Sequence, residues 1–289
     1  MTIDLAGARR FVRSHGRLLE RRRMDHLLGG APATGVLSAL AAYRNADGGI
    51  GALEPDLRTD TSQPSAVMYA LEILTELGPV DDGGLASGAL DWLQTVTAPD
   101  GSVTFVLPTA ADAPHAPWWT PQDAPPASLL MTAGIAAVAL RVAPAHPWIG
   151  PATAWCWERL GTLPATEPYT LRAVVDLLDA VPDRARADAE LDVLADRLPD
   201  DGVLRVAAGV EGETLRALDI APHPGHAGRR LFGDALIGRE LDALAGAQAH
   251  DGGWTFSWPD WNPAGGHEWR GIVTVKALRT LRAYGRLDP

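Results

Sequence analysis

Three carboxylates crowd one polar stretch, Gly51-Ala-Leu-Glu54-Pro-Asp56-Leu-Arg58-Thr-Asp60-Thr-Ser-Gln-Pro64. Carboxyl groups deliver or take a proton at a reacting centre, so Glu54, Asp56 and Asp60 are the candidate acids. The second reactive-looking set is aromatic. Of ten tryptophans, Trp118 and Trp119 follow His115 in a proline-rich loop, and Trp254, Trp258, Trp261 and Trp269 gather near the C-terminus with Phe256 and Glu268. Indole faces line apolar cavities and attract cations, which makes His115, Trp118, Trp119, Trp254, Trp258 and Glu268 candidate substrate-binding residues. Plainer roles stay open to all of them. Asp60 can cap the helix that follows, Glu54 and Asp56 can be solvated charges flanking Pro55, Glu268 can favour a helix N-terminus, and the rings can simply pack.

Other chemistries lack their residues. Cys156 lies between Trp155 and Trp157 with no aspartate two places before it, which excludes an Asp, Cys and His zinc site. Asp81-Asp82 is followed by glycines and reads as a surface turn, and Pro-Gly between His223 and His226 reads as a turn rather than a ligand pair. No Gly-x-Ser-x-Gly nucleophile signature is present. Neither a metal nor a cofactor is expected. A formal net charge of −11 argues against nucleic acid and anionic lipid as partners, and Arg21-Arg22-Arg23 reads as a solvated helix face. A single cysteine excludes an internal disulfide and fits a reducing compartment. No signal-peptide or membrane-span pattern stands out, so a cytoplasmic, soluble protein is expected.

The elements that must position these residues are helices. Apolar spacing gives one amphipathic helix over 4–28, kinked near Gly16, then a short helix from Thr34 to Tyr43 that stops at Asn45-Ala-Asp-Gly-Gly49. Ser62 as cap and Pro64 in the first turn start the clearest helix, which runs to Gly78. Further helices are expected over 85–96, 126–142, 150–161, 168–180, 184–198, 236–247 and 272–284. The 126–142 run is apolar nearly all round and belongs inside other helices. The loop from Val106 to Pro126 far exceeds the usual connection of about 4–6 residues, which marks it as functional. No alternating strand series is credible.

The helix ends repeat. Arg44-x3-Gly48, Gln94-x6-Gly101, Arg197-x4-Gly202 and Gln248-x3-Gly252 recur at multiples of roughly fifty residues, a period that means stacked helical hairpins. About five to six hairpins fit in the chain. An open solenoid would also stack them, but the apolar 126–142 helix alternating with amphipathic ones favours an inner and an outer layer, hence one domain over residues 1–289 built as an all-α toroid (an α/α barrel). Inner helices would ring a central axis, with the acidic loop and the tryptophan loops at one mouth.

Gln248-x3-Gly252-x-Trp254 resembles the QW repeat of squalene and terpene cyclases, and Tyr43-Arg-Asn-Ala-Asp-Gly-Gly-Ile50 is similar with Arg for Gln and Ile for Trp. The 51–64 stretch resembles that of a single-domain bacterial group of prenyltransferase/squalene-oxidase repeat proteins. The resemblance implies that Gln248 bonds backbone groups at a neighbouring helix end while Trp254 packs over the turn. It also implies a terpene-cyclase-like enzyme that uses an acid to cyclise or isomerise a small apolar prenyl or polyene-type substrate. The chain departs from the family by lacking Asp-x-Asp-Asp and Asp-Asp-x-x-Asp. Two alternatives stay open: a toroid that binds an isoprenoid or partner without chemistry, and a glycan-active (α/α) barrel, which needs a second carboxylate across a polar groove.

Overall fold

The computed structural model describes residues 3–162, 167–206 and 212–287. Twelve α-helices carry them: α1 Leu5–His15, α2 Leu18–Gly29, α3 Thr34–Ala41, α4 Pro64–Leu77, α5 Leu85–Thr95, α6 Leu129–Val142, α7 Ile149–Arg159, α8 Pro168–Ala180, α9 Arg184–Ala195, α10 Ala217–Ile220, α11 Asp234–Gly246 and α12 Pro263–Ala283. Two-residue strands, β1 Leu204–Arg205 and β2 Thr214–Leu215, pair antiparallel. None of the described helices is long and apolar enough to cross a membrane. The chain divides into two compact units. A central unit holds Leu40–Leu191; a terminal unit holds Met1–Ala39 with Asp192–Pro289.

In the central unit α6 is the element around which the others pack, and α8, α4, α7 and α5 all lie against it. Nine consecutive residues, Met131 to Ala139, are buried, as a helix apolar on every side requires. Small side chains at Ala133, Gly134, Ala136 and Ala137 let neighbours come close. A Cβ on Gly134 would stand 2.6 Å from the Met68 sulfur of α4 and 3.7 Å from Ala173 of α8. Ile135 is fully buried, and each such side chain contributes about 1.5–3 kcal/mol. Cys156 on α7 is buried, and burial pushes its thiol up to about 12.

The start of α4 departs from expectation in one detail. Pro64 takes the first helical position as expected, but the cap is Gln63, and Ser62 turns away. Its hydroxyl donates to Asp47 (2.8 Å) and accepts from Asn45 (2.9 Å), because the glycine turn at 45–49 competes for it.

In the terminal unit α12 packs on α1, α2 and α11. The expected 4–28 helix is two helices rather than one kinked helix. Gly16 is extended, at φ −73 and ψ 154, and a Cβ on Gly271 of α12 would lie 3.1 Å from the Gly16 Cα. A side chain at Gly271 would hold α12 away from the break, and one at Gly16 would crowd the Val12 carbonyl at 2.8 Å. The basic run is also not one solvated face. Arg21 and Arg22 are exposed, but Arg23 is buried, three residues after the fully buried Glu20 and so on the same helix face. Arg17 grips Glu20 through two bonds of 2.8 and 3.0 Å, and Arg23 approaches it at 3.4 Å; charge pairing is what permits such burial. Helix α12 begins nine residues before the expected Ile272. Asn262 caps it by accepting from the Gly265 N–H at 2.8 Å and Pro263 follows at the first position, a start hidden in the sequence by Gly265-Gly266.

Four glycine turns share one construction. At Asp47-Gly48, Asp100-Gly101, Asp201-Gly202 and Asp251-Gly252 the aspartate Oδ1 accepts the backbone N–H two residues on, at 2.9 to 3.0 Å. Each glycine has positive φ, from 67 to 93. Each also abuts the first turn of a helix in its own unit: Gly88 of α5, Pro151 of α7, Leu236 of α11 and Gly7 of α1 respectively. The turns are therefore joints between a helix end and the start of a helix that is not the next one along the chain.

Gln248 completes the last joint as the resemblance implied. Its amide accepts from the Asp4 N–H and donates to the carbonyls of Asp4 and Gly252, all at 2.9 Å, and Asp4 is the cap of α1.

Candidate functional site

The acidic stretch folds as a buried loop in the central unit. Leu53, Pro55, Asp56 and Leu57 are all buried, so the backbone between them needs partners from protein rather than water. The proline-rich loop provides them. Ala116 N–H donates to the Asp56 carbonyl (2.8 Å), Arg58 N–H donates to the Pro114 carbonyl (2.9 Å), and Leu57 pairs antiparallel with His115. Ala52 closes the loop by donating to Thr59 (2.7 Å) from the left-handed conformation, φ 53, the one described non-glycine residue with positive φ. A strained residue of this kind persists where the surroundings over-determine it.

The three carboxylates end in different environments. Asp56 is 3% exposed, Glu54 is half-buried and Asp60 is exposed. Asp60 does not cap α4; its carbonyl accepts from Asn45 at 2.8 Å.

His115 is half-buried, and its Nδ1 lies 3.0 Å from the Ala116 carbonyl. That carbonyl can only accept, so Nδ1 carries the hydrogen and Nε2 is left as the acceptor of the neutral ring. Trp119 is 6% exposed and stacks on Phe105 with centroids 4.5 Å apart, while Trp118 is 38% exposed. The Trp119 indole N–H is buried with no acceptor among the described residues.

Gln63, Thr61, Thr109 and Phe105 were not singled out from sequence. The Gln63 amide is 1% exposed, accepts the Leu107 N–H (2.9 Å) and donates to Thr109 (3.0 Å) and Thr61 (3.3 Å). It thereby ties the acidic loop to the start of the proline-rich loop. Its one legible signal is a polar residue directly before a helix-starting proline.

The C-terminal aromatic set lies in the terminal unit and is built separately. Trp254 is committed to its joint. It is 2% exposed, its backbone N–H donates to Thr274 (2.9 Å), and its indole donates to the Leu244 carbonyl (2.7 Å). Trp258 stacks on Phe256 (4.7 Å) and meets Trp269 edge-on (5.0 Å). Glu268 and Trp269 are on α12 itself, past its first turn, rather than before it, so Glu268 is not an N-terminal charge.

The turn at His223 and His226 is what its Pro-Gly suggested, with the rings edge-on at 5.3 Å and His226 Nδ1 accepting from Gly228 N–H. Among the described residues no three His, Cys, Asp or Glu side chains gather as metal ligands would.

No protein-family model matches the chain, and no curated protein matches it. Among solved structures it is similar to the type II terpene cyclase MstE from Scytonema, in its apo form, with a TM-score of 0.59 over 98% of each chain at 13% identity. At that identity the likeness speaks to fold alone, and the fold is the all-α toroid class of a terpene cyclase.

Proposed function

We propose that this chain is a terpene-cyclase-like enzyme of the class II kind, which cyclises or isomerises a small apolar prenyl or polyene substrate by protonating one of its double bonds. The observation that carries this reading is Asp56, a carboxyl group 3% exposed on a loop pinned by the segment that bears His115 and Trp119. Proton transfer to carbon competes with transfer to water, so an acid for this reaction must be shielded from solvent. Of the three carboxylates Asp56 meets that requirement best, Glu54 less well, and Asp60 least.

The proton leaves the Asp56 carboxyl and forms a C–H bond at one alkene carbon, which leaves a cation at the other. In a cyclisation a second double bond attacks that cation and moves the charge to one of its own carbons. In either reaction a C–H bond beside the final cation then breaks, and its electron pair forms the new double bond. The departing proton goes to His115 Nε2. The stacked faces of Trp119 and Phe105 favour the passing cation, an attraction of about 0.5–2 kcal/mol. Trp118 stands at the solvent side of the same loop. The terpene-cyclase fold supports the substrate class, and Gln63 supports the geometry by fixing both loops.

The test is incubation in D2O with geranyl, farnesyl and geranylgeranyl alcohols and diphosphates, with products read by mass spectrometry. A new cyclic or isomerised product should carry deuterium at the protonated carbon. Asp56→Asn should slow its formation at least about a hundredfold, and Asp60→Asn should leave it nearly unchanged. Binding of these compounds without any deuterated product would make the chain a binding protein and end the enzymatic reading.

A further inference from the structure

The terminal unit carries a second cluster that the acid loop does not use. Three buried N–H donors in one short segment have no acceptor among the described residues: Trp258 Nε1, Trp269 Nε1 and Asn262 Nδ2. Leaving one buried donor unsatisfied costs about 1–3 kcal/mol, so three together mark a place where acceptors belong.

All three lie on or against the N-terminal part of α12. The rings of Trp258 and Trp269 meet edge-on at 5.0 Å, and Phe256 stacks on Trp258 at 4.7 Å. Asn262 spends its oxygen on the Gly265 N–H, which fixes the amide and leaves Nδ2 buried beside the first turn of α12. A Cβ on Gly265 would stand 2.8 Å from that nitrogen, and Gly265 lies four residues before Trp269, one turn below it on the same face. That Cβ would also stand 3.4 Å from the Trp261 Nε1, so glycine here lets the Asn262 amide and the Trp261 ring lie against the first turn of α12.

The fixed charges argue about the kind of acceptor. The positive end of α12 already faces a carboxylate, because Asp260 lies against Gly266 in the first turn. The cation nearest in sequence, Arg270, is committed to Asp251 through two bonds of 2.8 and 2.9 Å. An anion entering here would meet the Asp260 carboxylate, while Arg270 already holds Asp251. A neutral oxygen carries no net charge for Asp260 to repel and can accept from the three donors.

We propose that residues 256–269 form a binding site for a neutral, flat, apolar molecule bearing carbonyl-type oxygens, such as an aryl ketone or quinone. Its ring extends the Phe256, Trp258 and Trp269 cluster, and its oxygens accept from the two indoles and the Asn262 amide. The site stands independently of Asp56, and loss of either assignment leaves the other in place.

The test uses the full chain with its ten tryptophans labelled with 15N, whose indole N–H resonances are assigned through Trp258→Phe and Trp269→Phe. Three probes of similar shape are titrated: acetophenone, benzoate and ethylbenzene. Acetophenone should shift the Trp258 and Trp269 resonances saturably, with benzoate at least tenfold weaker and ethylbenzene without effect on the N–H shifts. Asn262→Asp keeps the cap oxygen and removes the donor, so it should weaken acetophenone roughly three- to tenfold while the spectrum stays dispersed. No shift with acetophenone overturns the site. An equal response to ethylbenzene reduces it to apolar packing and overturns it too, and benzoate binding as tightly overturns the neutral class.

Discussion

Replacing Gly252 by alanine puts two separable costs on one position. The residue sits at φ +93, where a Cβ costs about 1–2 kcal/mol by itself. The added carbon would also overlap the carbonyl group of Gly7, which is backbone in the first turns of α1 and cannot rotate aside. Forcing such an overlap costs a further 1–3 kcal/mol or so, for a total of about 2–5 kcal/mol. Gly30→Ala is the control, since φ is +62 there and nothing lies within 4 Å of the new carbon. It should cost only the conformational part, about 1 kcal/mol. The other joints should rank between them. Gly101→Ala meets the Pro151 carbonyl carbon at 2.7 Å and should come close to Gly252→Ala, whereas Gly48→Ala meets the Gly88 oxygen at 3.2 Å and should cost less. Gly202→Ala meets the movable end of the Leu236 side chain at 2.8 Å and the Ala217 Cβ at 3.4 Å, and should fall nearer the control than the other three. Urea unfolding followed by far-ultraviolet circular dichroism measures the series, provided the slope with denaturant is unchanged. Gly252→Ala within about 0.5 kcal/mol of Gly30→Ala would refute the joint as a close backbone contact.

Gln248→Leu removes three hydrogen bonds in a partly exposed setting and should destabilise by about 1–3 kcal/mol in the same assay; a change below the error would leave the glutamine without its holding role. Asp251 gives a pH signature. The Arg270 hydrogen bonds, then the Gly253 N–H and the Arg270 charge, lower its carboxyl from 3.8 to about 2. Because folding lowers this value, the stabilisation is whole above the ordinary carboxyl range and is lost as pH falls through about 2. The pair is partly exposed, so solvent screening limits it to about 1 kcal/mol. Asp251→Asn should therefore lower stability at pH 7 by that amount and converge on the parent chain near pH 2, and a constant difference across the range would show that the charge is not the cause.

Much of this protein follows from local sequence because its elements report themselves locally. The apolar spacing of α4, α6 and α8, the Pro64 start and the Asp-Gly turns at 47, 100, 201 and 251 depend on neighbours within a few residues. Glycine at positive φ is required wherever the turn recurs. The period of those turns together with the all-apolar 126–142 run led to an all-α toroid, and the resemblance to the QW repeat made Gln248 legible as a joint.

What sequence could not order was the set of carboxylates. Glu54, Asp56 and Asp60 look alike along the chain, yet one is buried, one half-buried and one exposed, because the 114–116 segment, some sixty residues away, pairs with one edge of the loop. Gln63 escaped notice for the same reason, since its partners Leu107 and Thr109 are distant in sequence. The break at Gly16 and the early start of α12 likewise depend on tertiary contact or on a cap masked by glycines. Periodicity is a property of one segment, whereas burial and hydrogen-bond partnership are properties of two. Local pattern therefore determined the helices and their joints, and tertiary structure decided which acid is shielded and which indole N–H groups are left with a bond to make.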